Sequence, residues 1–163
     1  LDLVDLLVHL CDELKTAWPD REIELVTSSS LCVLGNAAEL RSAISNLIVN
    51  ALKYSEAPIS VKWSDTIVGP ELLVEDQGLG IDAKHIPRLT ERFYRVDKSR
   101  SQATGGTGLG LAIVKHVAVS HDAKLFIDSE LGRGSTFRLV FPNDRAVSCD
   151  VCSTESRRTD SGQ

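Results

Sequence analysis

Asn36-Ala-Ala-Glu39-Leu40-Arg-Ser-Ala-Ile44-Ser-Asn46-Leu47-Ile48-Val-Asn50-Ala51-Leu52-Lys53-Tyr54 is the stretch on which the fold turns. Asn36 can cap a helix, and Glu39 three residues later completes a capping box, so a helix is expected from there to about Leu52. On a 100° wheel Leu40, Ile44, Leu47, Ile48 and Ala51 share one side, with Asn46, Asn50 and Lys53 roughly opposite. The apolar side is expected to face a sheet. The plain reading of the other side is a solvated surface, but asparagine competes with the helix for backbone hydrogen bonds, and two in mid-helix need a reason. An amide oxygen can ligate Mg²⁺ without adding charge, and a lysine three residues on can reach the same phosphates.

Two glycine clusters lie downstream, Asp76-Gln77-Gly78-Leu79-Gly80 and Gly106-Thr107-Gly108-Leu109-Gly110. Asp76 follows the apolar run Leu72-Leu73-Val74, so a carboxylate sits at a strand end. It can accept a hydrogen bond from the exocyclic amine of adenine, while the glycines let a base approach the backbone. The second cluster opens a helix, whose free N–H groups and positive dipole end suit phosphate. Two decoys are rejected. Gly78 to Ala83 fits a dinucleotide fingerprint, but Pro87 cuts the following helix short and no acid-tipped second strand follows. Gly105 to Gly110 has P-loop spacing, but Leu111-Ala112 stands where Lys-Ser/Thr is required. Between the clusters, Arg88, Arg92, Arg95, Lys98 and Arg100 form a basic stretch suited to a polyphosphate. The three segments together describe a nucleotide site and an ATP-dependent function.

The remaining chain reads as an amphipathic helix over 2–17, strands near 21–26 and 32–34, and a hairpin of 59–63 and 71–75 around Gly69-Pro70. A short turn over 82–88 and a polar, irregular segment from 89 to 104 follow. A helix from Thr107 or Gly108 is expected to bury Leu109, Ala112, Ile113, His116 and Val117. Strands over 124–128 and 136–141 flank Leu131-Gly132-Arg133-Gly134. Helices and strands interleave without βαβ repetition, which predicts an α+β fold with one mixed, largely antiparallel sheet and helices on one face. One domain over 1–143 is expected, with a disordered tail over 144–163.

The net charge of −5, from 23 acids and 18 bases, argues against nucleic acid as a partner. Neither a signal peptide nor an apolar run of membrane-spanning length is present, so the chain is expected to be soluble as given. It contains no methionine and reads as a piece of a longer polypeptide. Cys11, Cys32, Cys149 and Cys152 make no disulfide framework in a chain this long, and reduced thiols are expected.

The order of the motifs resembles the sensor histidine kinases. Asn46 to Tyr54 is similar to their N box, Asp76 to Gly80 to the G1 box, Glu91 to Asp97 to the F box, and Gly106 to Leu111 to the G2 box. Within the family, His85 to Arg100 together with Ala112 to His116 looks most like the phosphate-regulon branch. The resemblance implies a two-layer Bergerat (GHKL) ATP-binding fold with a mobile lid, and ATP and Mg²⁺ as cofactors. It implies that Asn50 ligates the metal, with Asn46 near metal and phosphates, that Lys53 contacts phosphate and that Tyr54 packs on adenine. It likewise implies that Asp76 binds the adenine amine, that Gly78 and Gly80 shape the base pocket and that Ser135 lies near the base. Arg95 would reach the phosphates from the lid, and the N–H groups of Gly108 to Gly110 would hold them. Ile81, Lys98, Gly106, Thr107 and Leu109 complete the expected nucleotide-binding set, with Asn46, Lys53 and Arg95 as the catalytic group.

Related gyrase and mismatch-repair ATPases carry a glutamate general base at the position of Asn46, so activated water is disfavoured here and transfer to another nucleophile preferred. The family's acceptor is a histidine on a helical dimerisation domain, and His9, His85, His116 and His121 all lack its motif. The implied partners are that domain and a cognate response regulator. The full-length protein is expected to be homodimeric and attached to the cytoplasmic side of a bacterial inner membrane, with this piece monomeric. The other readings are an ATP-sensing module without phosphotransfer and a GHKL ATPase.

Overall fold

The structure is a computed structural model that describes residues 1–94 and 110–149. Asp2 starts α1 (Leu3–Ala17) by accepting the Asp5 N–H at 3.1 Å, and the helix buries Leu3, Leu7, Leu10 and Cys11 on one stripe. Strands β1 (Ile23–Thr27) and β2 (Leu31–Val33) follow. Asn36 Oδ1 then accepts the Glu39 N–H at 3.0 Å and opens α2 (Ala37–Tyr54). All five residues expected on its apolar face are buried, joined by Ala43 and Leu52. At the other end of α2 the Arg21 guanidinium donates to the Leu52 carbonyl, an acceptor that the helix leaves open, and to the Ala57 carbonyl just beyond the helix.

The hairpin β3 (Ile59–Thr66) and β4 (Gly69–Asp76) comes next, then a 3₁₀ turn (Ile86–Arg88) and α3 (Gly110–Ser120). Strands β5 (Lys124–Glu130), β6 (Gly134–Val140) and the short β7 (Ala146–Ser148) complete the described chain. The main sheet has the order β1-β3-β4-β6-β5, parallel only between β1 and β3, while β2 and β7 form a separate antiparallel pair. The mixed, largely antiparallel α+β architecture is therefore as expected, except that the strands form two sheets and not one, because β2 pairs with β7 outside the main sheet.

Strand alternation sorts the sheet into two faces. Val61, Val74, Phe137 and Ile127 are paired across four strands, as are Trp63, Leu72, Leu139 and Leu125. The aliphatic and aromatic residues of both rows join the same core as the buried faces of α1, α2 and α3. The alternate residues Lys62, Leu73, Arg138 and Phe126 lie on the outer face, where the Arg138 guanidinium stacks over Phe126 at 5.0 Å and pairs with Asp128 at 3.3 Å.

Several expectations are corrected. The hairpin turns at Ile67-Val68, not Gly69-Pro70; two β-branched residues look like strand, yet they are 100% and 68% exposed at the tip. In α3 the buried stripe is Val114, Val117 and Ala118, while Ile113 and His116 are exposed. Nearly every side of this helix is apolar, so packing sets its phase and the sequence period does not. The segment from Asp144 is not disordered as far as it is described: Asn143–Arg145 forms a 3₁₀ turn and Ala146–Ser148 pairs with β2. Its partner strand lies more than a hundred residues away, so no local pattern announces it. The thiols are likewise not all reduced, because Cys32 and Cys149 form a disulfide across that pairing, with Cα atoms 5.1 Å apart. Cys11 is free and buried. No helix among the described residues is long and apolar enough to cross a membrane.

Candidate functional site

Leu72, Val74 and Asp76 alternate onto the helix-facing side of β4, so the strand's last residue carries a carboxylate into a face otherwise apolar. Asp76 is 5% exposed. It is paired across β6 and β5 with Ser135 and Ser129, the residues that continue the inward rows Leu139, Phe137 and Leu125, Ile127. One polar rung thus closes the apolar face. Asp76 Oδ1 accepts the Gly78 N–H at 3.0 Å, bending the chain directly after the strand. Burial pushes its carboxyl above the ordinary value of 3.8, and hydrogen bonds from the backbone N–H groups of Gly78 and Ser135 oppose the rise. A buried carboxylate with capacity to accept further hydrogen bonds is chemically suited to an amine-bearing ligand.

Both glycines after Asp76 work by close approach. A Cβ on Gly78 would run into the carbonyl oxygen of Tyr54 at the end of α2, and one on Gly80 would run into the carbonyl of Glu130 at the end of β5. Gly80 also has a φ of +71°, where side chains are disfavoured. The space a Cβ would take at each glycine is filled by protein backbone. The glycines bring the chain after Asp76 against α2 and β5.

Ser129 was not anticipated. Its hydroxyl oxygen accepts the Ile81 N–H at 2.7 Å and its proton goes to the Gly134 carbonyl at 3.0 Å, so Ser135 is the donor in the 2.7 Å bond between the two serines. The parity of Leu125-Ile127-Ser129, which matches the parity ending at Asp76, is the sequence signal that could have revealed it.

The second half of the site lies along α2. Asn46, Asn50 and Lys53 are partly exposed on the side away from the core. Asn46 Nδ2 donates to the Ser42 carbonyl at 2.8 Å, which leaves its Oδ1 directed outward; a Cβ placed on Gly110 would lie 3.0 Å from that oxygen. The start of α3 therefore abuts Asn46. Lys53 makes no ion pair among the described residues. Tyr54, 42% exposed, stands where α2 meets Gly78. Asp76, Gly78, Gly80, Ile81, Tyr54 and Ser135 are thus brought together at one end of α2, and Asn46 with Gly110 two turns earlier. Arg95, Lys98, Gly106, Thr107, Gly108 and Leu109 lie outside the described residues, as does most of the expected lid.

His121, not anticipated as structural, locks the opposite end of α2 to α3. Its Nε2 accepts the Asn36 N–H at 3.0 Å and its Nδ1 donates to the Val117 carbonyl at 2.8 Å, with 3% exposure. Buried and engaged at both nitrogens, it is not available as a nucleophile.

A polar rung under a strand end, a helix edge bearing two amides and a lysine, and a second helix starting against one of those amides define a nucleotide-binding α+β domain. Residues 35–145 match the histidine kinase-, DNA gyrase B-, and HSP90-like ATPase family, and the chain belongs to it. Among relatives, it is 52% identical over 128 residues to the phosphate regulon sensor protein PhoR of Pseudomonas aeruginosa, covering 77% of this chain and 29% of that protein. Among solved structures, it is similar to the mycobacterial sensor histidine kinase MprB, at a TM-score of 0.76 and 28% identity over 87% of this chain and 95% of that one. It is also similar to full-length ShkA in complex with AMPPNP, at a TM-score of 0.74 and 28% identity, covering 87% of this chain and 30% of that one. In sequence and fold the chain is thus similar to the ATP-binding region of sensor histidine kinases, PhoR among them. It spans about a third of the length of the curated relatives it matches.

Proposed function

We propose that this domain binds ATP with adenine at the Asp76 rung and the triphosphate along the Asn46–Asn50–Lys53 edge, and presents the γ-phosphoryl to a histidine on a helical dimerisation domain. The observation that carries the reading is Asp76 itself, a buried carboxylate at an inward-facing strand end, held by the Gly78 N–H. ShkA, a structural relative, was solved with AMPPNP, an ATP analogue, which supports a nucleotide in this fold.

Tyr54 lies beside Gly78 at the end of α2 and would pack on the base, while Gly80, Ile81 and Ser135 would shape its pocket. Lys53 would neutralise phosphate charge, joined by Arg95 and Lys98 from the segment between the glycine clusters. The cluster Gly106 to Gly110 would offer backbone N–H groups at the start of α3. Mg²⁺ fits the donor set: the amides of Asn46 and Asn50 offer hard oxygens, and the Asn46 oxygen is left outward by the bond its nitrogen makes to Ser42. Asn50 would be the ligand. The metal would shield the phosphate charge, while the chain's own residues position the nucleotide.

An amide at position 46 cannot take a proton from water, so phosphotransfer is favoured over hydrolysis. The whole protein is proposed to be a membrane-attached, homodimeric kinase at the cytoplasmic face. There it would signal phosphate starvation to a cognate response regulator. The test combines this chain with a separately made dimerisation domain and γ-labelled ATP. Acid-labile phosphohistidine on that domain is expected. Release of inorganic phosphate by this chain alone, with no label transferred, would identify an ATPase instead.

A further inference from the structure

Two cysteines that the nucleotide site does not use meet at the other end of the fold. Cys32 in β2 is fully buried, whereas Cys149, directly after β7, is partly exposed, and the two are joined across 117 residues of sequence. Backbone pairing sets the approach, with Leu31 opposite Ser148 and Cys32 opposite Val147. The other edge of β2 holds the first residues of the chain. The Leu1 nitrogen donates to the Val33 carbonyl at 2.8 Å, and the Val33 N–H donates to the Leu1 carbonyl at 2.9 Å. A carboxylate oxygen of Asp2, the cap of α1, and both sulfurs lie within 4.8 Å of one another. β2 thus carries the start of α1 on one side and β7 on the other. Asp76 lies at the far end of β4 from the hairpin tip, where Phe141 leads toward β7.

We infer that Cys32 and Cys149 form a reversible thiol–disulfide site, a clasp that takes small disulfides and thiols as reactants and fixes β7 on β2 beside the start of α1. To open it, an external thiolate attacks Sγ of Cys149, the less buried partner. The Cys32–Cys149 bond breaks, and its electron pair leaves on Cys32 Sγ, which takes up a proton. A second external thiolate then attacks the added sulfur and releases Cys149 with a second proton. Two external thiols become one small disulfide, and the chain gains two thiols. Closure with glutathione disulfide is the reverse and releases two glutathione thiols.

Opening removes a cross-link that restrains the unfolded chain, but it does not detach β7 outright. Arg145 still donates to Asp122 at 2.9 and 3.2 Å and to the Leu34 carbonyl at 3.3 Å. Cys11 is an internal control, since burial pushes its thiol pKa up and keeps it from oxidants.

The experiment uses the chain and its Cys152→Ser variant, each equilibrated with glutathione disulfide and then with dithiothreitol. Peptide mapping without reductant is expected to find Cys32 linked to Cys149 in both oxidised proteins, with Cys11 unmodified. The oxidised form should melt about 10 °C above the reduced form, reversibly, and Cys149→Ser should lose that difference. Dominant Cys149–Cys152 bonding, a glutathione adduct on Cys149 without the cross-link, or identical melting of the two forms would overturn the clasp. So would tight one-to-one zinc binding by the reduced chain that is lost in Asp2→Ala, which would make the cluster a metal site.

Discussion

At the Asp76 end of the site almost every polar group is held by backbone or by a neighbour on the sheet. The carboxylate takes the Gly78 N–H, Ser129 takes the Ile81 N–H, and Ser135 donates to Ser129. Along α2 the arrangement is different: Asn46 uses only its nitrogen, and Lys53 stands partly exposed with no ion pair among the described residues. One end is largely hydrogen-bonded within the fold, with spare acceptor capacity on the Asp76 carboxylate, whereas the other presents groups that a ligand would complete. On the proposed reading, base recognition and folding would be coupled, because the same hydrogen bonds would serve both, while phosphate handling would be separable from stability.

This contrast can be broken by substitution. Gly78→Ala drives a Cβ into the Tyr54 carbonyl, with backbone on both sides and little room to give. It is expected to cost about 3 kcal/mol in urea denaturation. Ser129→Ala strands the Ile81 N–H and should cost about 1–2 kcal/mol by the same measurement. Lys53→Ala should change stability by less than about 0.5 kcal/mol, yet weaken ATP more than adenosine in calorimetry. A loss of adenosine binding in that variant would erase the distinction between the two ends.

Acidity sharpens the same comparison. Burial raises the folded-state pKa of Asp76 above 3.8, so between that value and the raised one the folded chain holds more protons than the unfolded chain. The stability due to Asp76 is present below about pH 3.8 and is lost as pH rises through the raised value. Asp76→Asn should flatten that slope in denaturation curves taken from acid to neutral pH. ATP binding should run oppositely, weakening as acid protonates the carboxylate.

Much of the fold was legible because it rests on short-range rules. The Asn36–Glu39 cap, the α2 stripe and the alternation of Leu72, Val74 and Asp76 are each visible within a few residues. What escaped depends on contacts distant in sequence. β7 is three residues long and gains its form only from β2, and the Cys32–Cys149 bond follows from that pairing. Ser129 gains its meaning from Ser135 and Ile81, neither in its own strand. The phase of α3 could not be read from a helix apolar on nearly all sides, because α2 selects which stripe is buried. Of the site, Asp76 and the α2 stripe were readable as types, but that Gly78 and Gly80 touch backbone required the assembled fold.

The central claim is that Asp76 recognises the exocyclic amine of adenine. Calorimetry with ATP and with inosine triphosphate, which lacks that amine, tests it on the wild-type chain and on Asp76→Asn. The wild type is expected to prefer ATP by about 10-fold or more, and Asp76→Asn to weaken ATP while binding the two nucleotides within about 3-fold of each other. Equal affinity of the wild type for both nucleotides, or an undiminished preference for ATP in Asp76→Asn, would contradict the account.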